Sequence, residues 1–245
     1  MANLLIDIGN SNAKAAYSCG GKLDEILRDP YNDVCKFLLS ITEGKHFDVI
    51  VLSTVRKKES LLEEMLKDKC NRFVTVDSSI KLPAELKFGF PADTLGADRL
   101  AAALAVSMMF QGRDCIKFDF GTALTVDFIN KENVFEGGNI SLGMQSRFRA
   151  LNEFTGRLPF IRPEEGKDVK EYGANTIEAM TSGVVLGMIF EVEGYLKKYP
   201  GRTVVFTGGD SFYFAEKLKN SIFVVPNLVL VGLSLIADYY AQQKI

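Results

Sequence analysis

A chain of 245 residues, 47% hydrophobic and 24% charged, carries enough apolar surface for one large or two ordinary globular domains. Its formal net charge of -2 argues against a nucleic-acid binder, which would show a basic excess. Four cysteines without a CxxC pair, and a single histidine (His46), argue against a zinc site, a disulfide framework and most His-based catalysis.

The first apolar run, LLIDIG, predicts a strand over 3–8 that is interrupted by Asp7. Asp7 breaks the run and no basic segment precedes it, so no signal peptide is expected. Gly9-Asn10 then predicts a turn, with a return strand over 13–17. A helix over 34–41 leads to a strand over 47–54, and His46 falls just ahead of it in a loop or strand-edge position. A helix over 58–67 and a strand over 72–76 follow. Past Pro91 an extended loop ends at Gly96, and an Ala-rich helix spans 98–109 and closes at Gly112. Strands over 114–120 and 124–130 come next, then a helix over 176–198. A strand over 203–206 and helices over 212–218 and 229–240 complete the pattern. The longest uncharged stretch, SIFVVPNLVLVGLSLIA, is shorter than a membrane span and is broken by Pro226-Asn227. It reads as a buried strand followed by a buried helix, so no membrane partner and a cytoplasmic location are expected.

Strands alternating with helices place the chain in the α/β class. LLIDIGNSNAKAAY near the start is echoed by CIKFDFGTALTVDF from Cys115 onward. Each copy runs strand, Asp, apolar residue, Gly, small polar residues, strand. The repeat predicts two equivalent domains, 1–112 and 113–245, with a seam at 111–114.

Four stretches could carry chemistry. In DIGNSNAK, Gly9 permits close backbone approach, and Lys14 offers a point charge for a phosphate. An ordinary hairpin around one satisfied carboxylate explains the same residues. In DFGTALTVD, Asp119 could hold a cation and Thr122 a phosphate oxygen, with Thr125 and Asp127 on one strand face. Here too a plain hairpin is the alternative. In LGADRLAAALAV, Asp98 in the first helical turn suits the macrodipole, but Arg99 beside it does not. The pair fits a division of labour, with Asp98 accepting a proton from a substrate hydroxyl and Arg99 binding an anionic group. Finally, Gly137-Gly138 and Gly208-Gly209 each follow a strand pattern and precede a helix, a junction that welcomes anions. Neither the P-loop nor the Rossmann glycine pattern occurs.

In this order, DIGNSNAK, GADR, DFGTALTVD, GGNI and TGGD span nearly the whole chain and resemble the type III pantothenate kinases. That family belongs to the superfamily of acetate kinase, sugar kinases, actin and heat-shock chaperone ATPases; GADR is the specific signal. The resemblance implies two duplicated ribonuclease H-like (actin-like ATPase) domains flanking a nucleotide cleft. It implies ATP-dependent phosphorylation of pantothenate to 4′-phosphopantothenate, the first step of coenzyme A biosynthesis. By matching positions, Asp7, Ile8, Gly9, Asn10, Ser11, Asn12, Ala13 and Lys14, together with Thr122, would bind ATP. Gly96, Ala97, Asp98, Arg99, Thr176 and the position of Phe88 would line the pantothenate site. Asp98 would be the proton acceptor, and Arg99 the partner of the pantothenate carboxylate. Asp119 would hold K+ or NH4+, Mg2+ would accompany ATP, and the family's homodimers place substrate near the interface. Ser11 stands for the usual Thr and keeps a hydroxyl, Phe88 stands for a common Tyr and loses one, and Leu142 stands for a common Pro. The alternatives are a related kinase acting on another small hydroxy acid, or a non-catalytic nucleotide-binding regulator.

Overall fold

A mostly apolar run makes β1 (Asn3–Ile8) a strand buried on both faces, with Asp7 as its one partly exposed residue. In the computed structural model, which describes residues 2–10, 12–56, 60–83, 86–90, 92–162 and 169–243, this strand is the centre of the first of two units. Unit 1 takes in Met1–Gln111, Asn133–Phe135 and Asn227–Ile245, and unit 2 takes in Gly112–Glu132 and Glu136–Pro226.

Unit 1 continues with β2 (Ala13–Cys19), β3 (Lys22–Arg28), α1 (Val34–Thr42), β4 (Phe47–Thr54), α2 (Ser60–Lys67) and β5 (Cys70–Thr75). A short β6 (Lys87–Phe88) and a 3-10 turn at Ala92–Thr94 precede α3 (Ala97–Met109). The predicted helix over 58–67 begins outside the described residues and is observed as Ser60–Lys67. The sheet order is β3-β2-β1-β4-β5, with β1 antiparallel to β2 and parallel to β4. Asp33 starts α1 by accepting a hydrogen bond from Lys36 N–H at 3.1 Å. Helix α3 is buried from Leu100 to Ser107, and its alanines allow backbone-distance packing. The last helix of the chain supplies that contact: a Cβ on Gly232 would overlap the carbonyl of Ala101.

Unit 2 repeats the plan with β7 (Cys115–Phe120), β8 (Ala123–Ile129), β9 (Val134–Leu142), α4 (Met144–Glu153), α5 (Thr176–Lys198), β10 (Thr203–Thr207), α6 (Ser211–Lys217) and β11 (Ile222–Val224). The first residues of β9, Val134 and Phe135, pair with β6. The order β11-β10-β7-β8-β9 matches unit 1 strand for strand, with β7 antiparallel to β8 and parallel to β10. The internal echo in the sequence is therefore a duplicated fold. The unit 2 core centres on Phe118, Phe120, Phe206 and Phe214, with Phe120 lying 4.7 Å from Phe206 and 4.8 Å from Phe214, centroid to centroid. Each ring buried this way contributes about 1.5–3 kcal/mol. Gly137-Gly138 lie inside β9 and do not form a strand-to-helix junction, because the strand runs on through them to Leu142, with Gly137 at φ 133° in a conformation open to glycine. Gly208-Gly209 do separate β10 from α6.

The chain closes in unit 1 with α7 (Leu228–Gln242). Among the described residues, α5 is the one helix long and apolar enough to cross a membrane. Its Met180, Val184, Val185, Met188 and Val192 are buried in the unit 2 core, so its apolar character serves packing.

Candidate active site

The first Asp-x-Gly segment forms the hairpin between β1 and β2. Asp7 sits one residue before β1 ends, opposite Lys14 on β2 and Ser53 on β4. The Ser53 hydroxyl donates to Asp7 Oδ1 at 3.2 Å, which helps to satisfy a carboxylate in an otherwise apolar strand. Gly9 N–H donates to the Asn12 carbonyl at 3.0 Å and closes the turn. Asn10 and Asn12 are exposed. Ile8 and Ala13 are buried and frame the turn from the core side. Lys14 Nζ donates to Asn227 Oδ1 at 3.4 Å; Asn227, left-handed at φ 54°, is the residue from which α7 starts. Ser11 lies outside the described residues. The sequence reading did not single out Arg56, which follows β4. Its Nε donates to the Gly9 carbonyl at 3.0 Å and its Nη2 to the Asn10 carbonyl at 3.2 Å.

The second hairpin, between β7 and β8, repeats the arrangement in unit 2 with a turn one residue shorter. Asp119 stands opposite Thr125 on β8 and Thr207 on β10, as Asp7 stands opposite Lys14 and Ser53. Thr122 is exposed, and its carbonyl accepts from Gly143 N–H at 3.0 Å and Ser146 Oγ at 2.6 Å. The turn is thereby tied to the start of α4. Gly208, at φ 92°, comes so close that a Cβ there would lie 2.5 Å from the Phe120 carbonyl and 2.6 Å from Asp119 Oδ1. One rung deeper on the same strand face, Lys117 and Asp127 form a fully buried ion pair at 2.6 Å, and Lys117 also donates to Thr125 Oγ1 at 3.3 Å.

The GADR segment opens α3 in unit 1. Gly96 is the residue before the helix, and its carbonyl accepts from Leu100 N–H at 3.0 Å. Asp98 Oδ1 accepts the Arg99 backbone N–H at 2.8 Å, which folds the carboxylate back over Gly96. A Cβ on residue 96 would meet that oxygen at 2.6 Å, so the glycine leaves room for the acid. Ala97 is buried beneath it. The Arg99 guanidinium carbon lies 5.7 Å from the centroid of the Phe135 ring, within cation-π range. Phe88 and Phe90 contact the same ring at 6.4 and 5.7 Å. Unit 1 thus assembles Phe88 and Arg99 around Phe135, with Asp98 next in sequence.

Thr176 lies in unit 2, exposed, as the first residue of α5. Asn175 caps the helix by accepting Glu178 N–H at 3.0 Å, while Glu178 accepts Ala174 N–H at 2.9 Å. The Lys170 ammonium, 2.6 Å from Glu178, holds that carboxyl below the usual glutamate range, with the Ala174 bond acting in the same direction. Two other reactive side chains take no part. His46 Nε2 bonds to Asn71 on the surface, and burial pushes the Cys115 thiol up to about 11.

Residues 3–198 match the sequence model of the type III pantothenate kinases. A type III pantothenate kinase from Phocaeicola vulgatus is 40% identical over 248 aligned positions, covering 97% of this chain and 98% of that protein. Among solved structures, a Campylobacter jejuni protein described as a conserved Baf family transcriptional activator superposes with a TM-score of 0.64 at 22% identity, covering 98% of this chain and all of the other (100%). A Sinorhizobium meliloti protein described as a 2-dehydro-3-deoxygalactonokinase gives 0.63 at 12% identity, with coverage of 98% and 100%. At such identities the two structures speak for the fold alone, the duplicated architecture of sugar kinases and actin-like ATPases. With the family's sequence model matched over most of its length and a 40% identical relative spanning nearly all of it, the chain belongs to the type III pantothenate kinase family.

Proposed function

We propose that this protein transfers the γ-phosphoryl group of ATP to the primary hydroxyl of pantothenate, giving 4′-phosphopantothenate and ADP for coenzyme A biosynthesis. One observation carries the assignment of roles: the Asp98 carboxylate, aimed by its own helix over a glycine that makes room for it, with Arg99 next in sequence. Asp98 Oδ1 is engaged by the Arg99 N–H, which leaves Oδ2 to take the proton from the substrate hydroxyl. The resulting alkoxide attacks the γ-phosphorus in line, and ADP departs. Most of the rate comes from positioning and electrostatics, with proton removal a smaller contribution. Arg99 pairs with the pantothenate carboxylate, Phe88 offers an apolar wall, and Thr176 supplies a hydroxyl to the same substrate. The hairpin residues Asp7–Lys14 and Thr122 receive the triphosphate.

The residues around Asp119 suit a hard cation. The Asp119 carboxylate and the Phe120 carbonyl both face the space that a side chain at position 208 would fill. When bound, K+ or NH4+ there offsets charge on the phosphate oxygens. Among the described residues no three His, Cys, Asp or Glu side chains cluster as metal ligands, which suits Mg2+ carried chiefly by the nucleotide phosphates. We also infer a cytoplasmic homodimer that pairs through the exposed face of α5 that carries Phe190. The test is pantothenate with ATP, with and without K+, followed by mass detection of the product. Phosphopantothenate formed in a K+-stimulated reaction is expected. ATP consumed only with other acceptors, or bound without turnover, would overturn the assignment.

A further inference from the structure

We propose that Arg56 is a positioning residue for the nucleotide, a side-chain clasp that sets the phosphate-binding turn of unit 1 before ATP arrives; this rests on the kinase reading above. The chain just past β4 continues alongside the end of β1, with Val55 N–H donating to the Ile8 carbonyl at 3.2 Å. Arg56 N–H is fixed in turn by the Thr54 hydroxyl at 3.1 Å. From this anchored position the guanidinium spans two successive carbonyls of the turn, those of Gly9 and Asn10. Such a fork matches the rigid donor geometry of arginine and not the single ammonium of lysine.

The consequence follows from peptide geometry. A trans peptide points its C=O and the next N–H in opposite directions, and no described peptide bond is cis. Holding the Gly9 carbonyl toward Arg56 therefore turns the Asn10 N–H to the opposite side, as an anion-binding turn requires. The charge also matters. The Arg56 guanidinium places a positive charge directly on the two carbonyls of the turn. A clasp on an exposed surface, spent on backbone carbonyls of a loop matched to ATP, is a costly arrangement for stability alone. Two long-chain bonds in water add little to folding, whereas a pre-set turn removes an ordering cost from every binding event.

Arg56→Ala and Arg56→Lys test this by titration with β,γ-imido-ATP, which needs no acceptor and stands even if pantothenate proves not to be the substrate. In Arg56→Ala, nucleotide affinity and KM for ATP are expected to worsen about tenfold, with KM for pantothenate unchanged and kcat at saturating ATP within about threefold of wild type. Arg56→Lys is expected to recover little of this, since charge without the fork does not hold both carbonyls. Unchanged nucleotide affinity in Arg56→Ala, full recovery by Arg56→Lys, or an equal loss for both substrates would each overturn the proposal. Wild-type turnover of pantothenate alongside any of these results would leave the kinase reading intact.

Discussion

The hairpins at 7–14 and 119–125 share a strand order and an aspartate one residue before the strand ends, yet they are supported differently. The first has an exposed turn, closed by Gly9 on Asn12 and clasped by the Arg56 side chain. The second is pressed by backbone from two directions. Gly143 at the start of α4 and Gly208 after β10 both approach so closely that no side chain would fit, and the Lys117–Asp127 pair lies buried behind them. One duplicated element thus carries an adjustable support in unit 1 and a fixed one in unit 2. Changes around the second hairpin should cost stability, while changes around the first should alter ligand binding and leave the fold alone.

The largest expected effect is at the buried pair. Lys117→Met strands the Asp127 carboxylate without its ammonium and should lower unfolding free energy by about 3–5 kcal/mol in chemical denaturation. Lys117→Met combined with Asp127→Leu should recover most of that loss. A neutral single variant would mean the pair contributes no constraint behind the second hairpin. Next comes Gly208→Ala, which forces a Cβ onto a left-handed backbone and against the Phe120 carbonyl, for a loss of about 2–3 kcal/mol. Gly96→Ala is a different kind of change. Its backbone at φ -61° and ψ 142° suits alanine, and the new Cβ meets only the Asp98 carboxylate. Turnover should fall about tenfold as the acid is displaced, with the melting temperature unmoved. Smallest is Gly9→Ala in the first hairpin, where the Cβ meets only the Asn12 carbonyl at 3.3 Å. Less than about 1 kcal/mol of stability should be lost. If Gly9→Ala and Gly208→Ala cost the same, the contrast between the two supports fails.

The sequence made legible whatever depended on local pattern. Apolar runs around Asp7 and Asp119 marked the two central strands, and the alanines after Gly96 marked a helix closely packed on all sides. It concealed what depended on distant pairing. Strand β3, KLDEILR, lies at a sheet edge with several side chains exposed, so it lacks the apolar run of a central strand. Strand β9 carries Gly137-Gly138 in its interior, a signal that reads as a loop. Helix α4 buries only Met144 and Phe148, too few for a clear period. Strands β6 and β11 are too short to show one. Arg56 was invisible because its contact with Gly9 follows from the parallel pairing of β1 with β4, which no local motif reports. The return of α7 to unit 1 likewise depends on Gly232 meeting Ala101. Asp98 could be nominated from its neighbours, but the way its carboxylate rests over Gly96 required coordinates.

The most direct test of the whole account is Asp98→Asn, assayed for phosphopantothenate formation alongside its melting temperature and its affinity for β,γ-imido-ATP. With Asp98 as the proton acceptor, turnover should fall at least about 100-fold while stability and nucleotide binding match the wild type. Wild-type turnover in that variant would contradict the role given to Asp98 and the site built around it.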